Sequence, residues 1–406
     1  MRKANNQEIS AMGVLASHQT FTSHSHLVLR AHKFRLYPNR EQEELLAKHF
    51  GCCRFVYNHF LEERKRAYEE ERKALNYCAN AKDLTSLKKS DEFCWLGEVY
   101  SHALQASLRH LDVAYQRFFK KQAKFPRFHS KHDRQSCTFP DNVKVVDGRL
   151  SLPKFGGTMK MRGGMPVDGI VRQATVCKTP TGKYFVSILC EDVVEKLPEN
   201  GNGVGIDLGL KEMAVCSNGE RVANPKFLER GELHLKHLQR QVSKKKKGSD
   251  RRRRAMVVLS RFHEKVANRR RDYIHKFTSR IVRENQTVCV EDLNVKGMES
   301  NHHLAKGVAS VSFGEIVQQL EYKCRWRGRE FVKIERFFPS SKRCNHCGTI
   351  NKDLTLADRE WVCKECGSVI DRDFNASLNI RDRGIEILSG CGRWSDVKQK
   401  GGEAAA

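Results

Sequence analysis

The chain has 406 residues, 39% of them hydrophobic, with 74 Lys and Arg against 48 Asp and Glu, a formal net charge of +26. That length supports a substantial buried core in two or three domains. A cationic surplus of this size repels itself until polyanions neutralise it. The expected partner is therefore nucleic acid, held mainly through phosphate contacts, although charge alone leaves an RNA-packing protein open. The 15 cysteines do not form the pattern of a secreted disulfide framework. Most stand singly in apolar segments (Cys190, Cys216, Cys289, Cys324), as buried reduced thiols do. The polar opening residues lack the apolar run of a secretory signal, and no stretch approaches the roughly 20 apolar residues of a membrane span. A soluble, cytoplasmic, nucleoid-associated protein with no membrane contact is expected.

Residues 1–28 read as a disordered extension, and Met12 is an alternative start. The first strand covers Leu27 to Tyr37, with Phe34 and Leu36 apolar and Pro38 as its stop. A helical region follows over roughly 40–122. Glu41, Glu43 and Glu44 occupy its first turn, ahead of Leu45, Leu46, Phe50, Phe55, Tyr57 and Leu61. Its second helix, Tyr100 to Lys121, repeats Leu104, Leu108, Leu111, Tyr115, Phe118 and Phe119 at three- and four-residue steps. That spacing is read as core rather than as a base-stacking surface. From Phe125 to Val194, short alternating runs broken by Gly and Pro (Arg149 to Leu152, Ala174 to Lys178, Tyr184 to Leu189) predict a small antiparallel barrel or sheet. The mixed aromatic and basic run Phe125-Pro-Arg-Phe128 beside it suits a nucleic-acid surface. Gly201-Asn202-Gly203 reads as a linker.

The second half opens on a buried-looking strand, Val204 to Leu208, followed by Met213 to Cys216 and an Asn218-Gly219 hairpin turn. Between Lys244 and Arg271 there are 13 Lys or Arg against two acids. The runs Lys244 to Lys247, Arg251 to Arg254 and Arg269 to Arg271 favour a phosphate-tracking groove over a merely solvated helix face. A strand, Thr287 to Val290, ends in Glu291-Asp292-Leu293. A helix (Val311 to Arg327) and a strand (Phe331 to Ile334) then lead to a cysteine cluster, an α/β alternation.

In that cluster, Cys344-x2-Cys347 and Cys363-x2-Cys366 make two knuckles around one tetrahedral Zn²⁺, and Gly348 and Gly367 relieve the turns. Four sulfur ligands leave no open position for water, so the ion is structural. Chemistry then falls to acids in unusual places. Asp207 interrupts an apolar strand in Gly-Ile-Asp-Leu-Gly, where a buried carboxylate is costly unless paired or holding a cation. Glu291 closes the second apolar strand in the same manner. Asp373 begins the helix after the cysteines. Strand-end carboxylates met by one from a helix form an oxygen-rich site for Mg²⁺, and two such ions can activate water and stabilise a phosphodiester leaving oxygen.

Gly205-Ile-Asp-Leu-Gly209, Val290-Glu-Asp-Leu-Asn294, the four cysteines and Asp371-Arg-Asp-x-Asn-Ala376 together resemble the TnpB family. These are transposon-encoded RNA-guided DNA nucleases related to type V CRISPR effectors. Lys33-Phe-Arg-Leu-Tyr-Pro-Asn39 and Phe55-Val-Tyr-Asn58 are similar to that family's opening. Ser377 stands where Ala is commoner. The resemblance implies an RNase H-like (RuvC) nuclease domain at 201–343 and 368–390, with an inserted zinc ribbon at 344–367 and a flexible tail at 391–406. A wedge-like β-barrel (29–38 and 125–200) with an inserted helical nucleic-acid recognition domain (39–124) would precede it. It implies Asp207, Glu291 and Asp373 as catalytic Mg²⁺ ligands, with Asp371 a competitor for the third place. It further implies a guide RNA that pairs with target DNA, the protein itself reading backbone, duplex shape and a short adjacent motif. Three other readings stay open: a transposase cutting transposon ends without RNA, a non-cleaving RNA-guided binding protein, and a sugar kinase or actin-like ATPase. The last has no need of the charge or the cysteines.

Overall fold

A computed structural model of the chain describes residues 25–164, 167–355 and 357–390. Most of the expected N-terminal extension, and the tail at 391–406, lie outside the described residues. The chain divides into two compact units, 27–193 and 194 onward.

In the first unit, β1 (Ser25–Tyr37) is followed by helices α1 (Arg40–Glu71), α2 (Tyr77–Leu87) and α3 (Ser101–Phe119). Strands β2 (Gln135–Phe139), β3 (Lys144–Val146), β4 (Arg149–Ser151), β5 (Met159–Arg162), β6 (Ile170–Lys178) and β7 (Tyr184–Glu195) complete it. The seven strands form one sheet in the order β2-β6-β7-β1-β5-β4-β3. Pro38 ends the first strand, and Asn39 starts α1 with a reciprocal cap. Its side chain accepts from the Gln42 backbone N–H at 2.8 Å, and its own N–H donates to Gln42 Oε1 at 3.0 Å. Along β7 every second residue is buried, as a two-residue side-chain period demands. Asp192 falls on that inward face, where its carboxylate is met by His32 Nε2 at 2.6 Å.

Helices and sheet share one hydrophobic core, in which Phe60 of α1 and Leu104, Leu108 and Leu111 of α3 pack with Phe139, Leu150, Val186 and Ile188. The helices, inserted in the chain between β1 and β2, thus share their core with the sheet. Neither element could cover its apolar face alone. His49 ties the layer together. Its Nδ1 donates to the Leu45 carbonyl at 2.8 Å, and its Nε2 accepts the Tyr100 backbone N–H at 3.1 Å. Burial lowers its pKa, which suits a neutral ring in that role.

The apolar repeat of α3 does not stay buried to its end. Leu104, Leu108 and Leu111 are fully buried, whereas Phe119 is 73% exposed. Tyr115 is half-buried and packs against that core, as expected, whereas the reading as core is corrected for the half-buried Phe118 and for Phe119, which stand outside it. The helix simply outruns the sheet that covers its first part.

The second unit carries β8 (Gly203–Asp207), β9 (Glu212–Cys216) and β10 (Arg221–Ala223), then helices α4 (Glu232–Ser243) and α5 (Asp250–Glu284). Next come β11 (Thr287–Glu291), α6 (Val295–Ser300), α7 (His302–Val311), α8 (Phe313–Arg327) and β12 (Glu330–Ile334). A small hairpin, β13 (Glu360–Val362) with β14 (Val369–Asp371), leads into α9 (Arg372–Gly390). The five-stranded sheet runs β10-β9-β8-β11-β12. The β9–β10 and β8–β9 pairs are antiparallel, and β8–β11 and β11–β12 parallel. One face packs on the end of α5 (Ile274, Phe277, Ile281) and on α8 (Ile316, Leu320). The other face, including Cys289, Val332 and Ile334, is covered by Ile380 and Leu388 of α9.

All buried residues of the 35-residue α5 lie in its last third, from Ile274 onward. The remainder runs alongside α4 and carries exposed Arg251, Arg253, Arg254, Arg261, Lys265 and Arg269. Part of the basic run does structural duty instead. Arg252 donates to the Val242 and Lys245 carbonyls at 3.2 and 3.1 Å, Arg270 to the Ala309 carbonyl at 2.7 Å, and Arg271 pairs with Glu315 at 3.4 Å.

The division of α3 into a buried and an exposed part can be tested by urea unfolding. Leu104→Ala should cost about 2–5 kcal/mol through the cavity it leaves, and Phe119→Ala should stay within about 0.5 kcal/mol.

Candidate active site

Strand alternation decides which residues of the central strands face α9. On β8, Val204 and Ile206 pack toward α5 and α8, as do Val288 and Val290 of β11. Gly205 and Asp207, with Cys289 and Glu291, therefore point the other way. Parallel pairing sets Gly205 opposite Cys289 and Ile206 opposite Val290. One step further along both strands brings Asp207 level with Glu291.

The third acid comes from the helix above. At Gly205 a Cβ would stand 2.0 Å from the Ser377 carbonyl oxygen and 2.4 Å from the Arg381 nitrogen, so the α9 backbone rests directly on the strand. Further back along β8, Gly203 faces Ile385. The helix thus runs antiparallel to β8. One helical turn, about 5.4 Å, from Ser377 to Asp373 matches two strand residues, about 6.6 Å, from Gly205 to Asp207. A second small residue, Gly384, seats the same helix on Cys289. Ser377 is fully buried and satisfied locally, its hydroxyl donating to the Phe374 carbonyl at 2.6 Å.

Electrostatics report the same convergence. Burial first, then the charges of Glu291 and Asp373, push the Asp207 carboxyl up to about 8. Arg372 and Arg359 partly oppose this rise. Burial also raises Glu291, against a hydrogen bond from the Ser340 hydroxyl. Asp373 accepts from Arg359 at 2.8 Å and from Arg372 at 3.0 Å.

Two neighbouring acids are set apart by their partners. Asp371 accepts the Phe374 N–H at 2.8 Å as the cap of α9 and pairs with Arg221 at 2.8 Å. Burial raises its pKa, but these contacts outweigh that and hold it below the usual carboxylate range. Asp292 pairs with Arg336 at 2.6 Å on the surface. Ser340, Arg221 and Arg359 are site neighbours that sequence reasoning missed. Asn375 belongs to the Asp371-Arg-Asp-x-Asn-Ala376 motif, and it and Asn379, one turn on, have a clear task. Their side-chain amides both donate to the Arg343 carbonyl at 2.7 Å, and Asn379 also to Ser340 O at 2.8 Å. The loop that presents Ser340 to Glu291 is thereby pinned to α9.

The four cysteines come together, their sulfurs all within 4.8 Å of one another. The Cys344–Cys366 and Cys347–Cys363 separations are 3.7 and 3.5 Å. Tetrahedral bonds of about 2.3 Å place sulfurs about 3.8 Å apart, so the set fits zinc. Both knuckles repeat one pattern. Gly348 and Gly367 take φ of +82° and +69°, and their N–H groups donate to Cys344 and Cys363 carbonyls at 2.9 Å. Leu354, Trp361 and Ile370 close the small core. Cys190, Cys216, Cys289 and Cys324 are fully buried thiols, as expected.

Comparison with known proteins finds the same mixed α/β architecture elsewhere. The chain shares a fold with Cas12f1 in a cryo-EM structure of the Cas12f1-sgRNA-target DNA complex (TM-score 0.53, 13% identity, 88% of this chain and 99% of that one). Residues 185–302 match a family described as "Probable transposase", and 313–380 a "Cas12f1-like, TNB domain". Residues 28–73 match a "Helix-turn-helix domain", although here they form β1 and the single long helix α1. A Streptomyces pristinaespiralis protein named "Putative RNA-guided DNA endonuclease" is 42% identical over 90% of this chain and 91% of its own length. An Escherichia coli K12 relative, InsQ, bears the same description at 31% identity, over 90% of this chain and 94% of its own. The chain belongs to the TnpB family.

A pH prediction follows from Asp207. The folded chain holds a proton there that an unfolded carboxylate releases near 3.8, so metal-free stability falls as pH rises from that value to about 8. Asp207→Asn should raise the melting temperature of EDTA-treated protein above about pH 8 and leave it nearly unchanged near pH 4, as read by calorimetry at both pH values.

Proposed function

We propose that the protein is an RNA-guided DNA endonuclease encoded by a transposable element, with Asp207, Glu291 and Asp373 as the metal-binding acids of an RNase H-like (RuvC) domain. The observation that carries this reading is the convergence of three carboxyls from β8, β11 and α9, one of them too desolvated and too crowded by like charge to ionise comfortably alone. Such a donor set fits a hard divalent cation, Mg²⁺ above all, because a cation bound among the three carboxyls offsets that cost. Bound there, a pair of such ions would activate a water and stabilise the leaving oxygen of a phosphodiester. The chain's own residues do the rest. Ser340 fixes the rotamer of Glu291. Arg359 and Arg372 temper the acid cluster's charge and hold Asp373 in place. The exposed basic part of α5 offers a phosphate track.

In the same reading, Cys344, Cys347, Cys363 and Cys366 hold a structural zinc ion. Guide RNA and target DNA are the partners, with base pairing supplying sequence choice. Support comes from the names of the Streptomyces pristinaespiralis and Escherichia coli relatives and from the cationic surplus of +26.

The deciding assay combines protein purified with its RNA, a plasmid carrying the matching target, and Mg²⁺. Asp207→Ala and Glu291→Ala should drop cleavage to background while nucleic-acid binding persists. Binding lost in step with cleavage would make the acids structural. RNase treatment that leaves cutting intact would favour a transposase acting directly on DNA.

Cys363→Ser should lower bound zinc, measured by elemental analysis, from one ion per chain toward none, and should reduce the melting temperature. Unchanged zinc content would remove the ribbon assignment.

A further inference from the structure

The first unit carries an aromatic cluster that the acid site, the ribbon and the basic helix do not use. It lies where α3 ends. Lys121 takes a left-handed conformation (φ +55°), and the N–H groups of Gln122 and Ala123 return to the Arg117 carbonyl at 2.9 and 3.2 Å. This turn folds the chain back on the helix. Phe125 then meets Tyr115 and Phe118 edge-on, at centroid distances of 5.6 and 5.3 Å. Phe119 completes the cluster, 6.2 Å from Tyr115 with the rings within 27° of parallel. Phe119 is 73% and Phe125 46% exposed. Leaving two phenyl rings in water, after spending a turn to assemble them, is a cost that a packed core would not incur.

Charge decides what covers the cluster. Between Arg117 and Lys124 there are four cations, Arg117, Lys120, Lys121 and Lys124, and no acid. All four are exposed, and none enters an ion pair among the described residues. A second copy of this chain would bring the same charges against themselves. An apolar membrane or protein face would leave them without counter-ions. A nucleobase offers a flat apolar face to the rings while its phosphates meet the lysines, and stacking of that kind tolerates any base.

We propose that Phe119 and Phe125, supported by Tyr115 and Phe118, form a stacking platform for an unpaired nucleobase of a single strand or of an open duplex end. The proposal rests on the nucleic-acid reading above and assigns it a contact outside the acid site. The strand is RNA or DNA, and the two arms of the test separate them.

The test uses the full chain with single-stranded RNA or DNA carrying 2-aminopurine, whose fluorescence is quenched on stacking. Wild type should quench the probe. Phe119→Ala/Phe125→Ala should abolish the quenching and weaken binding on the order of tenfold. The salt slope should stay unchanged, because no phosphate-binding cation is removed. Phe119→Tyr should retain the signal, and an abasic strand should bind wild type and the double variant alike. A double variant that melts like wild type but still quenches and binds equally overturns the proposal. So does a wild-type dimer, seen by light scattering, that the double variant dissolves. Wild type that quenches single strands but cuts no DNA would defeat the nuclease reading and leave the platform standing.

Discussion

The second unit depends on one close contact, the α9 backbone lying on Gly205. A side chain at that position would meet backbone atoms at 2.0 and 2.4 Å, and backbone cannot swing aside as a rotamer can. Because the helix sits so low on the sheet, its first turn reaches the carboxyl ends of β8 and β11 instead of passing above them. Gly384 does the same over Cys289, so two points fix both the height and the direction of the helix. The acid cluster follows from this seating. Asp207 and Glu291 are set by strand register, and Asp373 is delivered by the helix.

The cluster is maintained against its own electrostatics. Desolvation and mutual repulsion hold the Asp207 proton up to about 8, a cost borne by the folded chain when no cation is present. Arg359 and Arg372 offset part of it through Asp373, and Ser340 steadies Glu291. A fold selected for stability alone would place an apolar residue at Asp207, as it does at Val204 and Ile206 on the same strand. Retaining a desolvated acid among acids is the pattern of a site that binds charge.

Much of this was legible in the sequence because simple periods govern it. Continuous apolar runs marked β8 and β11 and made Asp207 stand out. Cysteine spacing marked both knuckles, and the Asn218-Gly219 turn marked the β9–β10 hairpin. What stayed hidden depends on distant partners. Asp371 and Asp373 are two residues apart and chemically alike. Only the Phe374 cap and Arg221, a residue of β10, show that Asp371 is engaged elsewhere. Ser340 lies in a loop with no pattern of its own. The exposed end of α3 was misread because periodicity reports which residues share a face, not how far the covering sheet extends. For the same reason periodicity does not reveal that Phe60 and Leu104 share a core with Phe139 and Val186.

The cysteine hairpin and the acid site behave as one mechanical piece. β14 runs without a break into α9, and the Arg372 N–H donates to the Arg359 carbonyl at 2.8 Å, closing the hairpin directly beneath Asp373. The Arg359 side chain then reaches the Asp373 carboxylate, while the Asn345 N–H inside the first knuckle donates to Asn375 Oδ1 at 2.9 Å. Any disorder in the knuckles would therefore loosen three things together: the guanidinium on Asp373, the loop carrying Ser340, and the first turn of α9. A hairpin this small has little core of its own, only Leu354, Trp361 and Ile370 beside two cysteines, too little apolar area to stay ordered unaided. The rigidity that the acids need must then come from whatever joins the four sulfurs. A purely structural ion would in this way set the geometry of the three acids from a distance.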